Sequence, residues 1–208
     1  MGEEHVPIPF AWPRETYRLV LASASPRRQQ LMREAGFEFE VRTRPVPEIY
    51  PPGLAVGKVP EYLARLKASA FAGELAGDEM LVTADTVVCL RGKIIGKPSG
   101  RQEAIDMLTA LSGERHAVVT GVCLATATRQ HSFSARTNVY FRQLREEEIT
   151  RYVDTCRPFD KAGAYGIQEW IGYTGITRIE GSFYNVMGLP VQKLYRALEQ
   201  WPGKTKNH

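Results

Sequence analysis

The sequence predicts an α/β fold built on a mixed β-sheet. Segments with the patterns of strands and helices interleave along the chain, which is typical of a sheet covered by helices. Two long β-rich runs in the middle, 115–126 and 131–141, are separated by a short polar turn and are expected to pair as an antiparallel hairpin. No internal repeat or low-complexity segment interrupts this pattern. An antiparallel hairpin within an interleaved α/β order makes the sheet mixed.

The first half of the chain contains two strands, two helices and a long loop. Ser25 and Pro26 start the first helix, because serine is a preferred N-cap and proline suits the first helical position, and Gly36 ends it. Residues 37–41 alternate with period two, as expected for a strand with one solvated face. Five prolines and two glycines make residues 42–60 an ordered loop or lid. The expected order is a strand at 17–22, a helix at 26–35, a strand at 37–41, the loop at 42–60 and a helix at 61–75.

Similar sequence signals predict the strands and helices of the second half of the chain. Residues 80–88 form an apolar run interrupted by only three polar residues, which predicts a buried strand. Ser99 and Gln102 indicate a capping box for the helix that follows. The remaining expected elements are a short strand at 94–95, a helix that ends at 112–113, the two hairpin strands, a helix that opens at 146–148 and a last helix at 190–201.

Composition and charge limit the class of protein. A chain of 208 residues with 43% hydrophobic and 24% charged residues is typical of a soluble globular protein of one domain. The net charge of +4 favours an anionic ligand, but the basic residues are too dispersed to indicate nucleic-acid binding. No run approaches the ~20 apolar residues of a membrane-spanning helix. The three widely spaced cysteines are typical of reduced core residues in a cytoplasmic protein.

The turn between the first strand and the first helix has the features of an anion site. Ser23 and Ser25 are small hydroxyl residues, and Ser25 caps a helix whose free amides point outward. Arg27 and Arg28 follow, so a helix N-terminus and two guanidinium groups together favour phosphate. A capped helix with solvated arginines is the alternative, and the turn by itself leaves both interpretations open.

Two carboxylates are candidates for acid–base or metal chemistry. Asp85 lies in a strand otherwise suited to full burial, where an ionised carboxylate is costly unless it is paired or binds a metal. The alternative is an aspartate at a strand end with a structural partner. Glu48 lies in the proline-rich loop, and considered alone it is a solvated loop acid.

Two lysines and a glycine-rich segment complete the candidates. Lys67 lies among small residues on the second predicted helix, and Lys97 stands between a glycine and a proline that would fix its direction; either could equally be an ordinary surface lysine. Residues 160–168 are small enough for the backbone to approach a ligand, and Gln168 can offer a donor and an acceptor to a base edge, although a plain glycine loop is the alternative. His116 is expected to be a strand histidine with a hydrogen-bond partner. Motifs of serine hydrolases, zinc proteases and paired-cysteine zinc sites are missing.

Taken together, these segments resemble the Maf family of nucleoside triphosphate pyrophosphatases, from Leu19 to about Leu198. Six motifs in order carry the resemblance: LASASPRR at 21–28, ADTV at 84–87, GKP at 96–98, LSG at 111–113 with His116 and TGV at 120–122, DKAGAYGIQ at 160–168, and NVMGLP at 185–190. The resemblance implies an elongated, two-lobed fold similar to that of the inosine triphosphatases, with a strongly twisted sheet and a central cleft. It also implies one catalytic domain over 17–201, preceded by a loose leader at 1–16 and followed by a disordered tail at 202–208.

The resemblance further implies a reaction and a division of roles. Family members cut nucleoside triphosphates between the α and β phosphates with a divalent cation (Mg²⁺, Mn²⁺ or Co²⁺), which gives a nucleoside monophosphate and pyrophosphate. Such a reaction requires positioning and charge neutralisation more than covalent catalysis. The expected roles are metal binding and activation of water by Asp85 and Glu48, triphosphate binding by Lys67, Lys97, Arg27 and Ser23, and reading of the pyrimidine by Arg28, Thr86 and Gln168. The last three residues match the branch that acts on dTTP and UTP.

Partners and departures from the family pattern complete the expectations. The resemblance implies a cytoplasmic homodimer that binds a nucleoside triphosphate and no nucleic acid or membrane. Pro47 stands before Glu48, where an acidic residue is frequent, and Glu169 and Trp170 replace small residues, which can narrow the base pocket.

The alternative function is a non-enzymatic regulator of cell division that binds nucleotide, nucleic acid or a protein partner. The basic residues do not form a stripe with interleaved aromatics, which disfavours single-strand binding.

Overall fold

The computed structural model describes residues 17–202, which are organised around one seven-stranded sheet. The strands are β1 (Arg18–Leu21), β2 (Phe39–Val41), β3 (Glu79–Leu90), β4 (Lys93–Ile95), β5 (Arg115–Ala125), β6 (Gln130–Phe141) and β7 (Ile176–Glu180). The helices are α1 (Pro26–Glu34), α2 (Val59–Ser69), α3 (Arg101–Leu111), α4 (Glu146–Cys156), α5 (Trp170–Gly175), α6 (Phe183–Met187) and α7 (Val191–Glu199). The expected leader at 1–16, and all of the expected tail except Pro202, lie outside the described residues.

The sheet is mixed, as predicted. Its strands lie in the order β2-β1-β3-β5-β6-β7, and β4 pairs with β3 beside this path. β1 pairs in parallel with β2 and β3, whereas the pairs β3–β5, β5–β6 and β6–β7 are antiparallel. The expected hairpin is confirmed, because β5 and β6 pair along their whole length from Arg115↔Tyr140 to Ala125↔Gln130. The predicted α/β class with a mixed sheet is therefore confirmed.

One edge of β3 carries a gap in the sheet. β1 pairs with β3 as far as Leu21↔Val82, and β4 pairs with β3 only from Val88 onward. Residues 83–87 therefore pair with β5 on one side, and on the other side no strand of the described chain pairs with them. The chain leaves β1 at this point, where the amide of Ala22 still donates to the Val82 carbonyl at 2.9 Å. The gap leaves backbone groups of β3 open to side chains and ligands.

Alternation along β3 sends neighbouring side chains to opposite layers. The hydroxyl of Thr83 donates to the Ala64 carbonyl in α2 at 2.6 Å, so this position faces α2. Ala84 instead packs in the main hydrophobic core, which α1, α3, α4 and α7 build with the sheet. Because side chains of a strand alternate with period two, Asp85 faces the α2 layer and Thr86 faces the opposite one. The gap is therefore bordered by side chains from both layers.

The close contact between α2 and the sheet depends on Gly121 in β5. A Cβ atom at this position would lie 2.2 Å from the backbone nitrogen of Glu61, far inside van der Waals contact. Only a glycine lets the first turn of α2 approach β5 this closely. The contact fixes where α2 crosses the sheet, and with it the place of Lys67, which lies nearly two turns further along the helix.

The predicted span of the second helix is wrong at both ends. Val59 and Pro60 already form the first turn of α2, so it begins before residue 61. Proline is compatible with this turn, because amides there have no helical acceptor. The helix ends at Ser69 and not at residue 75, since the chain turns through residues 70–74, with Gly73 at φ +78°, to reach β3.

The predicted capping box of Ser99 with Gln102 is also wrong. α3 begins at Arg101, one residue later than that box requires. The carboxylate of Glu103 takes the place of the expected amide, and it accepts from the Ser99 amide at 2.7 Å and from the Ser99 hydroxyl at 2.5 Å. The elements α5, β7 and α6 have no counterpart in the sequence prediction, because five or six residues are too few for periodicity to identify.

His116 and the cysteines behave as expected. His116 is 2% exposed, and its Nε2 lies 2.7 Å from the hydroxyl of Tyr165. The three cysteines are free; Cys123 is buried, and Cys89 and Cys156 are half-buried. Within residues 17–202, no helix is long and apolar enough to cross a membrane.

We expect the burial of His116 to make stability depend on pH. Burial lowers the pKa of His116 to about 4, from an ordinary value of 6.5. The unfolded chain therefore takes up a proton below pH 6.5 that the folded chain does not, and the free energy of unfolding falls as the pH drops from 6.5 towards 4. The slope approaches about 1.4 kcal/mol per pH unit.

Urea unfolding between pH 5 and 7 checks this expectation. His116→Gln should lose this component of the slope, whereas His131→Gln, at an exposed position of β6, should keep it. Equal slopes for wild type and His116→Gln would contradict the assignment.

Candidate active site

A cavity of about 510 Å³ lies at the gap beside β3. Its walls come from the β1–α1 turn, the loop after β2, α2, β3, the residues after β4, the segment before α5, and the end of α6. All nine residues expected to form the site line it: Ser23, Arg27, Arg28, Glu48, Lys67, Asp85, Thr86, Lys97 and Gln168. The structure therefore brings together side chains that are scattered over 146 positions from Ser23 to Gln168.

The β1–α1 turn is organised by its serines and arginines. Ser25 is the N-cap of α1, and its hydroxyl accepts from the amide of Arg28 at 3.5 Å. The hydroxyl of Ser23 accepts from the amide of Ser25 at 3.3 Å. Arg27 donates to the carboxylate of Asp160 at 2.7 Å, across the cavity from α1. The helix N-terminus and Arg27 thus border the cavity together, as an anion site requires.

Arg28 is engaged with protein groups at all three nitrogens of its guanidinium. Nε donates to the Gly188 carbonyl at 2.8 Å, Nη1 to the Ala84 carbonyl at 2.9 Å and Nη2 to the Thr86 hydroxyl at 3.0 Å. The bond to Ala84 satisfies a carbonyl of β3 at the gap, where a neighbouring strand would otherwise supply a donor. Arg28 therefore ties α1, β3 and the end of α6 into one wall, and its reading of a base stays a prediction.

Lys67 joins the two candidate carboxylates. Its ammonium nitrogen donates to Asp85 Oδ1 at 2.6 Å and to Glu48 Oε1 at 2.8 Å. Asp85 is 6% exposed, so the lysine supplies the counter-charge that a buried carboxylate needs. Glu48 is half exposed on its loop and is brought to the site by this ion pair. These two bonds use one oxygen of each carboxylate.

The electrostatic environment keeps Glu48 and Asp160 ionised. Burial by itself would raise the pKa of Glu48, but the hydrogen bond from Lys67 and the charges of Lys67 and Lys97 outweigh it and lower the pKa below its ordinary value. Burial would likewise raise the pKa of Asp160, whereas hydrogen bonds from Lys161 and Arg27 lower it to about 2. Both carboxylates therefore carry a full negative charge at neutral pH.

The cavity as a whole is electropositive. Its cationic side chains are those of Arg27, Arg28, Arg44, Lys67, Lys97 and Lys161, and its carboxylates are those of Glu48, Asp85 and Asp160. Five of the six cations are held by protein acceptors. Lys97 is the exception, since it forms no hydrogen bond or ion pair with a described residue. A cavity with this balance is suited to a ligand of several negative charges.

The sequence analysis assigned no role to three charged residues that line the cavity. Arg44 pairs with Glu74 and lies over the ring of Phe71, while Lys161 and Asp160 pair with each other at 2.7 Å. Asp160 and Lys161 lie in the glycine-rich segment and were visible as a charged pair at its start. Arg44 lies in the proline-rich loop, where a single arginine gives no signal. Its position in the cavity depends on a partner 30 residues away.

Gln168 lines the cavity and carries an unpaired acceptor. Its Oε1 is buried and has no hydrogen-bond partner in the described protein. A buried amide oxygen without a partner is costly, so it indicates a ligand donor at this point. Nearby on the cavity wall, the hydroxyl of Thr86 contacts that of Thr120 at 3.0 Å and the Gly188 carbonyl at 3.4 Å. The lining of the cavity therefore includes an uncharged acceptor and a hydroxyl in addition to the charged carboxylates.

Glu169 and Trp170 do not narrow this pocket. Neither residue lines the cavity, and the Glu169 carboxylate instead lies 3.1 Å from the ammonium of Lys161. The small residues of the segment have a packing role as well. A Cβ atom on Gly163 would lie 3.2 Å from the side chain of Val88, a tight contact, and the φ of +70° at this residue also favours glycine. The segment before Gln168 is therefore a packed wall of the cavity.

The donor set suits a cation that is shared with a ligand. Among residues 17–202, no three His, Cys, Asp or Glu side chains lie together as a metal cage. Asp85 and Glu48 nevertheless already share one cationic group, the ammonium of Lys67. Mg²⁺ is commonly held by one or two carboxylates together with substrate phosphates, which is compatible with two carboxylates in an electropositive cavity.

The chain was compared with curated proteins, with solved structures and with models of protein families. The chain is similar to the dTTP/UTP pyrophosphatase of Bacteroides thetaiotaomicron, at 54% identity over 89% of this chain and 97% of that protein. It is also similar to the dTTP/UTP pyrophosphatase of Porphyromonas gingivalis, at 51% identity over 89% of this chain and 94% of that protein. The solved structure of the Staphylococcus aureus Ham1 protein is 16% identical and covers 88% of this chain and 98% of its own, with a TM-score of 0.49. The model of the Maf-like protein family matches residues 18–201. With a match over this span and relatives at these identities, the chain belongs to the Maf-like protein family.

Proposed function

We propose that this protein is a metal-dependent nucleoside triphosphate pyrophosphatase that converts dTTP and UTP to the monophosphate and pyrophosphate. One observation carries the proposal: a single cavity is lined by a buried carboxylate (Asp85) and, considering residues 17–202, by a cation without a partner (Lys97) and a glutamine whose amide oxygen has no donor (Gln168). The names of relatives that are about half identical over most of the chain support the same activity.

The triphosphate lies between the α1 N-terminus and Lys97. Lys97 binds phosphate oxygens without first breaking an ion pair, because no described residue holds its ammonium. Arg27 and the hydroxyl of Ser23 contribute further donors, together with the free amides of α1. These groups stabilise the charge that develops on the departing pyrophosphate, which is the main requirement of phosphoryl transfer.

Asp85 and Glu48 hold the divalent cation and prepare the water. When bound, a cation there neutralises phosphate charge and lowers the pKa of coordinated water. Asp85 accepts a hydrogen bond from the attacking water and takes its proton as the water oxygen bonds to the α-phosphorus. The bond from that phosphorus to the bridging oxygen breaks, and the electron pair leaves with pyrophosphate. Lys67 orients both carboxylates by donating to each of them.

Gln168 reads the base. Thymine and uracil share an imide N–H between two carbonyl oxygens, and a glutamine amide can accept from the N–H and donate to a carbonyl. The unpaired Oε1 of Gln168 supports this role, because such a donor would satisfy it. Thr86 offers a further hydroxyl on the same wall, and Arg28 holds that hydroxyl in place.

The domain, assembly and location complete the proposal. We infer one catalytic domain over 17–201, which acts as a homodimer in the cytoplasm. The three free cysteines are compatible with a reducing compartment. Sedimentation of the purified protein tests the dimer.

We expect the wild-type protein to release pyrophosphate and dTMP from dTTP in the presence of Mg²⁺, Mn²⁺ or Co²⁺, and Asp85→Asn to lower kcat by at least about 100-fold. Asparagine keeps the size of the side chain and an acceptor for Lys67 but cannot take the proton. Product chromatography and circular dichroism of both proteins provide the check. Release of diphosphate and phosphate would contradict the proposal, and salt-sensitive DNA binding without turnover would favour the non-enzymatic regulator.

Lys97→Ala should reduce kcat/KM by roughly 10- to 1000-fold without changing the unfolding midpoint, because the side chain is exposed and binds no described residue. Lys93→Ala is the matched control, as Lys93 is an exposed lysine of β4 that does not line the cavity. Steady-state kinetics with dTTP separates the two. Equal kinetics for both variants would remove Lys97 from the site.

Gln168→Ala should lower the ratio of kcat/KM for dTTP to that for GTP by about 10-fold, the scale of one buried hydrogen bond. The two substrates share the triphosphate but differ in the 2′-hydroxyl as well as the base, so the same ratio is also measured for UTP against GTP, which share the ribose and isolate contacts to the base. An unchanged ratio would exclude Gln168 as the base reader.

A further inference from the structure

We propose that Glu169 and Tyr152 are positioning residues that hold Gln168 against the base and connect it to Arg27 at the phosphate end of the cavity. Neither residue lines the cavity, so both act from behind its wall. The inference rests on the proposed function, since it assigns the origin of the base preference. It also explains Glu169, which departs from the small residues frequent at this position of the family pattern.

Tyr152 fastens the backbone just before Gln168. Its hydroxyl donates to one carboxylate oxygen of Glu169 and accepts from the amide of Gly166 at 3.1 Å. Tyr152 lies in α4 and is only 2% exposed, so its side chain is held in place and anchors this loop. Burial, followed by the neighbouring Glu169, raises the pKa of Tyr152 far above its ordinary value, and its hydroxyl therefore remains a donor.

Glu169 uses both of its oxygens. Oε2 accepts from Tyr152, and Oε1 lies 3.1 Å from the ammonium of Lys161. The side chain also fills the space beside Gly166, where a Cβ atom would lie 2.8 Å from the Glu169 carboxyl carbon. A carboxylate accepts at both ends, whereas the NH2 of a glutamine amide would face either the Tyr152 hydroxyl proton or the Lys161 ammonium. Glutamine therefore cannot satisfy both contacts.

The network continues from Glu169 to the phosphate end. Lys161, which is 9% exposed, lies between Glu169 and Asp160, and it donates to Asp160 Oδ1 at 2.7 Å. The other oxygen of Asp160 accepts from Arg27 at 2.7 Å. A continuous series of hydrogen bonds and one ion pair thus runs from Tyr152 through Glu169, Lys161 and Asp160 to Arg27. Loss of its central carboxylate leaves a buried ammonium with one partner fewer.

Kinetics of Glu169→Gln and Tyr152→Phe tests the proposal. We expect kcat/KM for dTTP to fall by about 10- to 100-fold, the scale of a misplaced contact group, and to fall less for GTP. In a background of Gln168→Ala, Glu169→Gln should no longer change the dTTP-to-GTP ratio, because its effect on the base passes through Gln168. Glu147→Gln and Tyr173→Phe make the same chemical changes at exposed positions and should leave the ratio unaltered.

Hydrogen exchange supplies a readout that does not need turnover. Peptides that cover residues 160–169 should exchange faster in Glu169→Gln than in wild type, and not in Glu147→Gln. Equal losses for dTTP and GTP, additive effects with Gln168→Ala, or unchanged exchange would each overturn the positioning role. Absence of triphosphate hydrolysis by the wild-type protein would instead overturn the proposed function, and the exchange experiment would still decide whether Glu169 orders this segment.

Discussion

The site depends on the unpaired stretch of β3 between the end of β1 and the start of β4. On one side, residues 83–87 pair with β5, and most of them are buried. On the other side the missing strand leaves room for a ligand and for the guanidinium of Arg28, which takes over the carbonyl of Ala84. Because adjacent side chains of a strand point to opposite faces, the gap gives Asp85 and Thr86 access to one cavity from two layers.

Each carboxylate in this cavity has a cationic partner, and that arrangement explains how a carboxylate can be buried in the sheet. Asp85 is desolvated by its strand neighbours, and the ammonium of Lys67 offsets this cost at 2.6 Å. Lys67 can reach Asp85 only because Gly121 lets α2 lie almost in contact with β5. The absence of a Cβ atom at Gly121 in β5 therefore affects the electrostatic environment of Asp85 in β3. The packing of α2 on β5 and the neutralisation of the Asp85 charge therefore depend on each other.

The two ends of the cavity differ in how their polar groups are supported. At the phosphate end, the cationic side chains belong to a helix N-terminus and to short turns. Lys97 has no partner among the described residues and is available to a ligand. At the opposite end, Gln168 lies on a segment fastened by Tyr152 and Glu169 from behind. An unpaired amide oxygen is useful for recognition only if its position is fixed, since a mobile side chain would turn to find another donor. Tyr152 and Glu169 supply that rigidity from outside the cavity lining.

The sequence by itself determined the α/β class, the central hairpin, the strand position of His116 and nine of the side chains that line the cavity. The first three follow from local periodicity and turn chemistry, and the nine side chains follow from the order of motifs and the family resemblance that those motifs carry. It misplaced the start of α2 and the cap of α3, where a shift of one or two residues changes no periodicity, and it extended α2 six residues too far, through a turn.

Only the tertiary structure decided the partners. Arg27 meets Asp160 across 133 positions, and Arg28 is committed to Gly188 across 160 positions. The side chain of Glu169 turns away from the cavity that its neighbour Gln168 enters, although the sequence shows the two side by side. Pairings of this kind depend on where whole elements cross and on which groups are desolvated there, and no local pattern encodes either.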